Sequence, residues 1–213
     1  MMVMLLGMMM AACVDNVYEE DDTCPVQQDK YLYDSSDAVP VDLGLSVQWA
    51  PFNVGAKAPE QLGNYYSWGD TDCRINGESY TEKYYTGVTT VPEGGICGTP
   101  YDVATVKWQE CWRMPTVAEV TELVKNCQWT ETQRNGVNGW EVTSYSNGNS
   151  IFLPKGGRCI EKRFEQIGVA GHYWQGSIQG NIGLSGLKVF DENPYLWGLN
   201  VRAVWDPSLQ GTK

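Results

Sequence analysis

The sequence predicts an α+β domain of two helices, several strands and long loops. Three observations carry that reading. The 213 residues include 9 tryptophans, 12 tyrosines and 23 glycines, a composition that suits a loop-rich domain containing strands. The stretch from Trp112 to Trp129 reads as a helix marked at its start and its end. The stretches Val41 to Ala50 and Gly198 to Trp205 alternate apolar and polar residues, as half-buried strands do. The length suits one domain with a short leader.

Residues 1–12 are an apolar run of leader length, too short to span a bilayer. Small residues precede Cys13, and Met10-Ala11-Ala12-Cys13 resembles a bacterial lipobox, which implies cleavage before Cys13 and a lipid on its thiol. No Lys or Arg precedes the apolar run, a departure from such leaders. Residues 13–39 follow as a tether. Its Glu19-Glu20-Asp21-Asp22 cluster repels itself and keeps the segment extended and solvated. The cluster also resembles the surface-export signal of Bacteroidetes lipoproteins.

The folded domain is expected over 40–206, with a tail at 207–213. Val41 to Ala50 supplies a first strand, and Leu62 to Asp70 an aromatic strand among Gly and Asn turn residues. Residues 71–100 read as a polar, variable insertion. Asp102 can cap a short helix that carries Val103, Val106 and Trp108 inward. In the next helix Thr116 is the N-cap and Glu119 completes a capping box. Val117, Val120, Val124 and Cys127, with Leu123 beside them, form its apolar stripe, while Glu119, Glu122 and Lys125 fall on the wetter side. Trp140 to Tyr145 and Ser150 to Leu153 form a hairpin about Asn147-Gly148. Tyr173 to Ile178, Leu184 to Phe190 and Gly198 to Trp205 supply the last strands. In the final one Leu199, Val201, Ala203 and Trp205 share a face, opposite Asn200, Arg202 and Val204.

Four blocks carry a resemblance to a known family. They are "VDLGLSVQWAPFNVGAKAPEQLGNYYSWGDT", then "DVATVKW" with "CWRMPTVAEVTELVKNCQW", then "NGVNGWEVTSYSNGNSIFLP", then "GHYWQGS" with "LNVRAVW". Together they resemble Bacteroidetes lipoproteins of the Fibrobacter succinogenes major paralogous domain type, within the C-type-lectin-like group. The resemblance implies a C-type-lectin-like fold of mixed and antiparallel sheets. The chain departs from the family at Pro154-Lys155-Gly156-Gly157-Arg158-Cys159. The resemblance makes Arg202 structural, and the expected partner is a carboxylate such as Glu119.

Composition excludes some functions. A net charge of −11 repels a phosphate backbone, so no nucleic-acid partner is expected. A single histidine, His172, weakens metal-cluster and Ser-His-Asp readings. Neither the Glu-Pro-Asn nor the Gln-Pro-Asp motif of calcium-dependent lectins occurs, and Asp191-Glu192-Asn193-Pro194 has the wrong order. Gln175-Gly176-Ser177 is not a nucleophile elbow. No catalytic residue, metal or cofactor is expected, and the chain reads as a non-enzyme. Beyond Cys13, six cysteines in an exported protein favour disulfides without choosing pairs. Cys73 with Cys97 would staple the insertion, worth about 3 kcal/mol. Cys111 and Cys127 read equally as reduced core residues.

The family places ligands on late strands and loops. Here these residues are Gln175, Gln179, Asn181, Phe190, Asp191, Tyr195 and Trp197, aromatics mixed with amides that suit stacking and adaptable hydrogen bonding. The expected role is non-catalytic binding of a glycan or protein by a monomeric protein, lipid-anchored at the outer membrane or cell surface. The competing readings are a variable receptor of a diversity-generating retroelement, an accessory subunit of a surface appendage, and a polysaccharide-acting enzyme.

Overall fold

A computed structural model describes residues 38–71, 92–109, 111–160, 163–177, 181–183, 188–190 and 197–209, with the backbone alone at 181–183 and 188–190. The expected leader, Cys13, the acidic cluster, Cys24 and Cys73 lie outside the described residues, as do Gln179, Asp191 and Tyr195.

The architecture is α+β, with strands paired antiparallel in small sheets. The strand β1 (Gln48–Trp49) pairs with β11 (Val204–Trp205), which also pairs with β2 (Trp112–Arg113). Thus the first and last strands of the described domain lie side by side. Between them run the helix α1 (Val103–Trp108) and the helix α2 (Val117–Asn126). A meander follows, of β3 (Cys127–Arg134), β4 (Val137–Ser144) and β5 (Ser150–Pro154). The hairpin of β6 (Arg158–Ile160) and β7 (Arg163–Glu165) leads to β8 (His172–Trp174), β9 (Asn181–Gly183) and β10 (Lys188–Phe190), which form one sheet in the order β10-β9-β8. No described helix is long and apolar enough to cross a membrane.

The alternation in residues 199–205 explains how two cores share one strand. Leu199, Val201 and Ala203 enter a core built on Phe52, Trp68, Trp108, Trp112 and Trp174, with Trp205 packed against it. Val204 points the other way, into a core with Trp49, Val120, Leu123, Val142 and Ile151. Each large apolar side chain buried there contributes about 1.5–3 kcal/mol.

The caps stand as expected. Asp102 accepts from the Ala104 and Thr105 amides at 2.9 and 3.2 Å. Its other oxygen accepts from Gly98 and Met114 at 2.9 and 2.8 Å, so one carboxylate ties the helix to the chain on either side. Thr116 and Glu119 form the capping box of α2. The hairpin about Asn147-Gly148 is present as β4 and β5.

Several expectations are corrected. Val117 is 41% exposed and Val106 39% exposed, so neither faces a core. Cys127 is buried, but it opens β3 rather than closing the helix. Glu119 is not on a wet face, because Arg113 grips both its oxygens at 2.9 and 2.5 Å. The end of the presumed insertion is structural: Ile96 is fully buried and its amide donates to Gly176 O at 2.6 Å.

Arg202 pairs with no carboxylate among the described residues. Its Nε donates to Asn53 Oδ1 at 2.8 Å, and its terminal nitrogens donate to Ala50 O at 3.0 Å and Phe152 O at 2.9 Å. Neutral oxygens from three segments take the guanidinium, while Glu119 is held by Arg113. Burial pulls the Arg202 pKa down to about 10. No disulfide joins Cys97, Cys111, Cys127 and Cys159 to one another among the described residues. Cys73, the proposed partner of Cys97, lies outside the described residues.

Candidate functional site

The strand β8 is the spine of the late region. On one side β9 pairs with it, placing Asn181 opposite Trp174. The next strand, β10, places Phe190 opposite Asn181. Two of the expected ligand residues are therefore cross-strand partners at one end of this sheet. On the other side Tyr173 bridges Asn200, with Trp174 N donating to Asn200 O at 3.0 Å.

Trp197 stands apart from that pair, beside β6. Paired bonds of 2.8 Å between Cys159 and Gly198 fix the chain there. The Arg158 guanidinium carbon lies 4.5 Å from the centre of the half-buried Trp197 ring. Glu165, opposite Arg158 in the hairpin register, holds that guanidinium at 3.1 Å. The glycine before it makes the approach possible: Gly157 has φ +63°, and a Cβ there would meet Glu165 O at 2.2 Å. The result is an aromatic ring with one planar cation over it, whose position a carboxylate sets.

Gln175 is turned inward, 1% exposed. Its Oε1 accepts from Ser177 N at 2.6 Å, and its carbonyl accepts from Trp68 Nε1 at 2.9 Å. Its amide therefore organises its own loop.

His172 is buried, with Nε2 2.8 Å from Gln166 Oε1. Gln166 itself sits at φ +63°, an uncommon conformation for a side-chain-bearing residue. Gly157 and Gly171 bridge in parallel, so Arg158 and His172 occupy neighbouring positions. Arg158 Nε and His172 Nδ1 are buried without a hydrogen-bond partner among the described residues. Burial, then the Arg158 charge, pushes the His172 pKa down from 6.5 to about 4. The ring is neutral at neutral pH and closed in by its neighbours.

Burial pushes Tyr173 up to about 12, and its hydroxyl donates to Pro154 O at 2.6 Å. Burial, then the Asp102 charge, pushes the Cys97 thiol up to about 12. Neither is primed as a nucleophile. A cavity of about 20 Å³ lies among Trp49, Val120, Leu123, Trp129, Tyr173 and Arg202, room for one water and not for a sugar ring. No cluster of three or more His, Cys, Asp or Glu residues that could hold a metal occurs among the described residues.

Sequence reasoning missed Arg158 and Glu165. They lie seven residues apart across the β6–β7 hairpin. No local periodicity connects Arg158 to Trp197. No family model, curated protein or solved structure matches the chain.

Proposed function

We propose that this chain is a surface lipoprotein whose domain has a C-type-lectin-like fold and binds a glycan or protein ligand without catalysis. The observation that carries the reading is Trp197, half-buried, with Arg158 stacked on its ring and Glu165 fixing Arg158. A held aromatic beside charged hydrogen-bonding groups can stack on a sugar face or receive a side chain at little entropic cost.

The pairing of the first and last described strands supports the fold assignment, as do the two helices between them. The non-catalytic reading is supported by the buried, neutral His172 and by the raised Tyr173 and Cys97. The lipobox-like Met10-Ala11-Ala12-Cys13 supports a lipid anchor at the outer membrane or cell surface.

A glycan array run beside a host-protein pulldown, with wild type and Trp197→Ala, tests the binding reading. Ligands retained by wild type and lost by Trp197→Ala are expected. Full binding by Trp197→Ala would move the site elsewhere, and glycan hydrolysis lost with a single carboxylate would make the chain an enzyme. Labelled palmitate incorporation that persists in Cys13→Ala would overturn the anchor assignment.

A further inference from the structure

The dipeptide Asn-Gly occurs three times in the described residues, in three different settings. At Asn138-Gly139 both residues lie inside β4, and a Cβ at Gly139 would meet the Phe152 ring at 2.4 Å. At Asn147-Gly148 the turn is tied throughout. Asn147 Nδ2 donates to Asp42 O at 2.9 Å, Asn147 Oδ1 accepts from Asn149 N at 3.0 Å, and Gly148 N donates to Ser144 O at 3.2 Å.

Asn135-Gly136 differs. It is the two-residue turn between β3 and β4, with φ of 48° at Asn135 and 83° at Gly136. Both residues are exposed and a Cβ at Gly136 would meet nothing within 4 Å, which is equally true at Asn147-Gly148, so the difference lies in the hydrogen bonds. No hydrogen bond holds the Gly136 N–H among the described residues. The one tie on the Asn135 side chain is Nδ2 donating to Glu60 Oε1 at 2.7 Å, an exposed contact. Asn76-Gly77 lies outside the described residues.

We propose that Asn135 is a site of spontaneous modification, where the fold leaves this Asn-Gly free to convert to aspartate and isoaspartate while it protects the ones at 138 and 147. The Gly136 nitrogen attacks Asn135 Cγ. A C–N bond forms, the Cγ–Nδ2 bond breaks, and ammonia leaves with the Gly136 proton. Water then opens the five-membered imide. Attack at Cγ gives aspartate, and attack at the main-chain carbonyl gives isoaspartate, with the backbone rerouted through the side chain. Nothing is oxidised or reduced, and water is the only co-reactant.

Glycine makes the step feasible because no Cβ crowds the attacking nitrogen. An extended strand holds that nitrogen in its ladder, and a hydrogen-bonded turn must first open. Conversion also reverses a contact. The Asn135 donor disappears, and a carboxylate takes its place facing Glu60. The turn thereby loses its tie to the loop at 57–61.

The test incubates the full chain at mildly alkaline pH in heavy-oxygen water, native and in guanidinium chloride, and maps labelled peptides by mass spectrometry. In the native protein residue 135 is expected to convert about five-fold or more faster than residue 147, the factor that the extra hydrogen bonds supply. Residue 138 should convert more slowly still. In guanidinium the three should converge. Native conversion at 147 or 138 as fast as at 135 would overturn the proposal. So would a residue 135 that stays an amide in the native protein but converts when unfolded. A preference for 135 that survives unfolding would also overturn it, because local sequence and not the fold would then set the choice.

Discussion

Arg202 Nε donates to Asn53 Oδ1 at 2.8 Å, deep in the domain and 149 residues apart in the chain. A buried cation is held there by neutral oxygens alone among the described residues. That arrangement gives each of the three oxygens a donor and ties residue 202 to the segment at 50–53 and to β5.

Arg202→Met should therefore destabilise strongly. It leaves Asn53 Oδ1 and the carbonyls of Ala50 and Phe152 without this donor. Each stranded acceptor costs about 1–3 kcal/mol, so a loss of roughly 3 kcal/mol or more is expected by urea denaturation. Arg202→Lys should recover only part of it, because an ammonium cannot span three diverging oxygens. An unchanged midpoint in both variants would show that the network contributes nothing.

Acid should open the clamp on Arg113. Burial pushes Glu119 up, but bonds from Arg113 and Thr116 outweigh it and hold the carboxyl below its ordinary 4.5. Asp206 is likewise pushed up by burial and pulled below 3.8 by Ser208 and Arg113. Depressed carboxyls lend stability above their unfolded pKa, and lose it as pH falls through the folded one. Asp206→Asn should lower the midpoint at pH 7 and flatten the decline below about pH 4. A parallel shift of the whole curve would remove Asp206 from the acid response.

His172 gives a separate window. Its folded pKa is about 4 against 6.5 unfolded. The unfolded chain therefore binds the proton first, and stability falls as pH drops from 6.5 towards 4. The full shift corresponds to about 3 kcal/mol. His172→Gln should remove this slope between pH 7 and pH 4.5 in denaturant titrations, whatever it does to the plateau. A slope that survives the substitution belongs to other groups.

Arg158 and Trp197 separate recognition from packing. A partly exposed cation–π pair is worth about 0.5–1 kcal/mol, so Arg158→Ala should shift the unfolding midpoint little. A ligand that stacks there should lose far more, roughly ten-fold or more in affinity, because both a planar donor and the ring's support go together. Equal, small effects on folding and binding would make the pair ordinary packing.

The sequence was most legible where partners are close in the chain. The capping residues Asp102 and Thr116, the turn at Asn147-Gly148 and the facing pattern of residues 199–205 all follow from neighbours within a few positions. Its errors share a cause. The strand β3 goes unpredicted, its Cys127 read as the end of the helical stripe, because most of its side chains are exposed and polar and no alternation marks it. Val117 and Val106 fit an apolar helical face yet reach solvent, since periodicity gives a face but not where cover ends. Gln175 fits a ligand surface by composition, and its amide serves its own loop.

By itself the sequence determined the α+β class, the helix caps, the direction of the last strand's side chains and the charge that argues against nucleic acid. Only the tertiary structure decided which acceptor each arginine meets. Arg113 took Glu119 and Asp206, Arg202 took Asn53 and two carbonyls, and Arg158 took Glu165 and the Trp197 ring. The physical reason is range. Caps and periodicity are set within one or two turns of chain, whereas a charge removed from water takes whichever oxygens or rings the packed chain brings within about 3–5 Å.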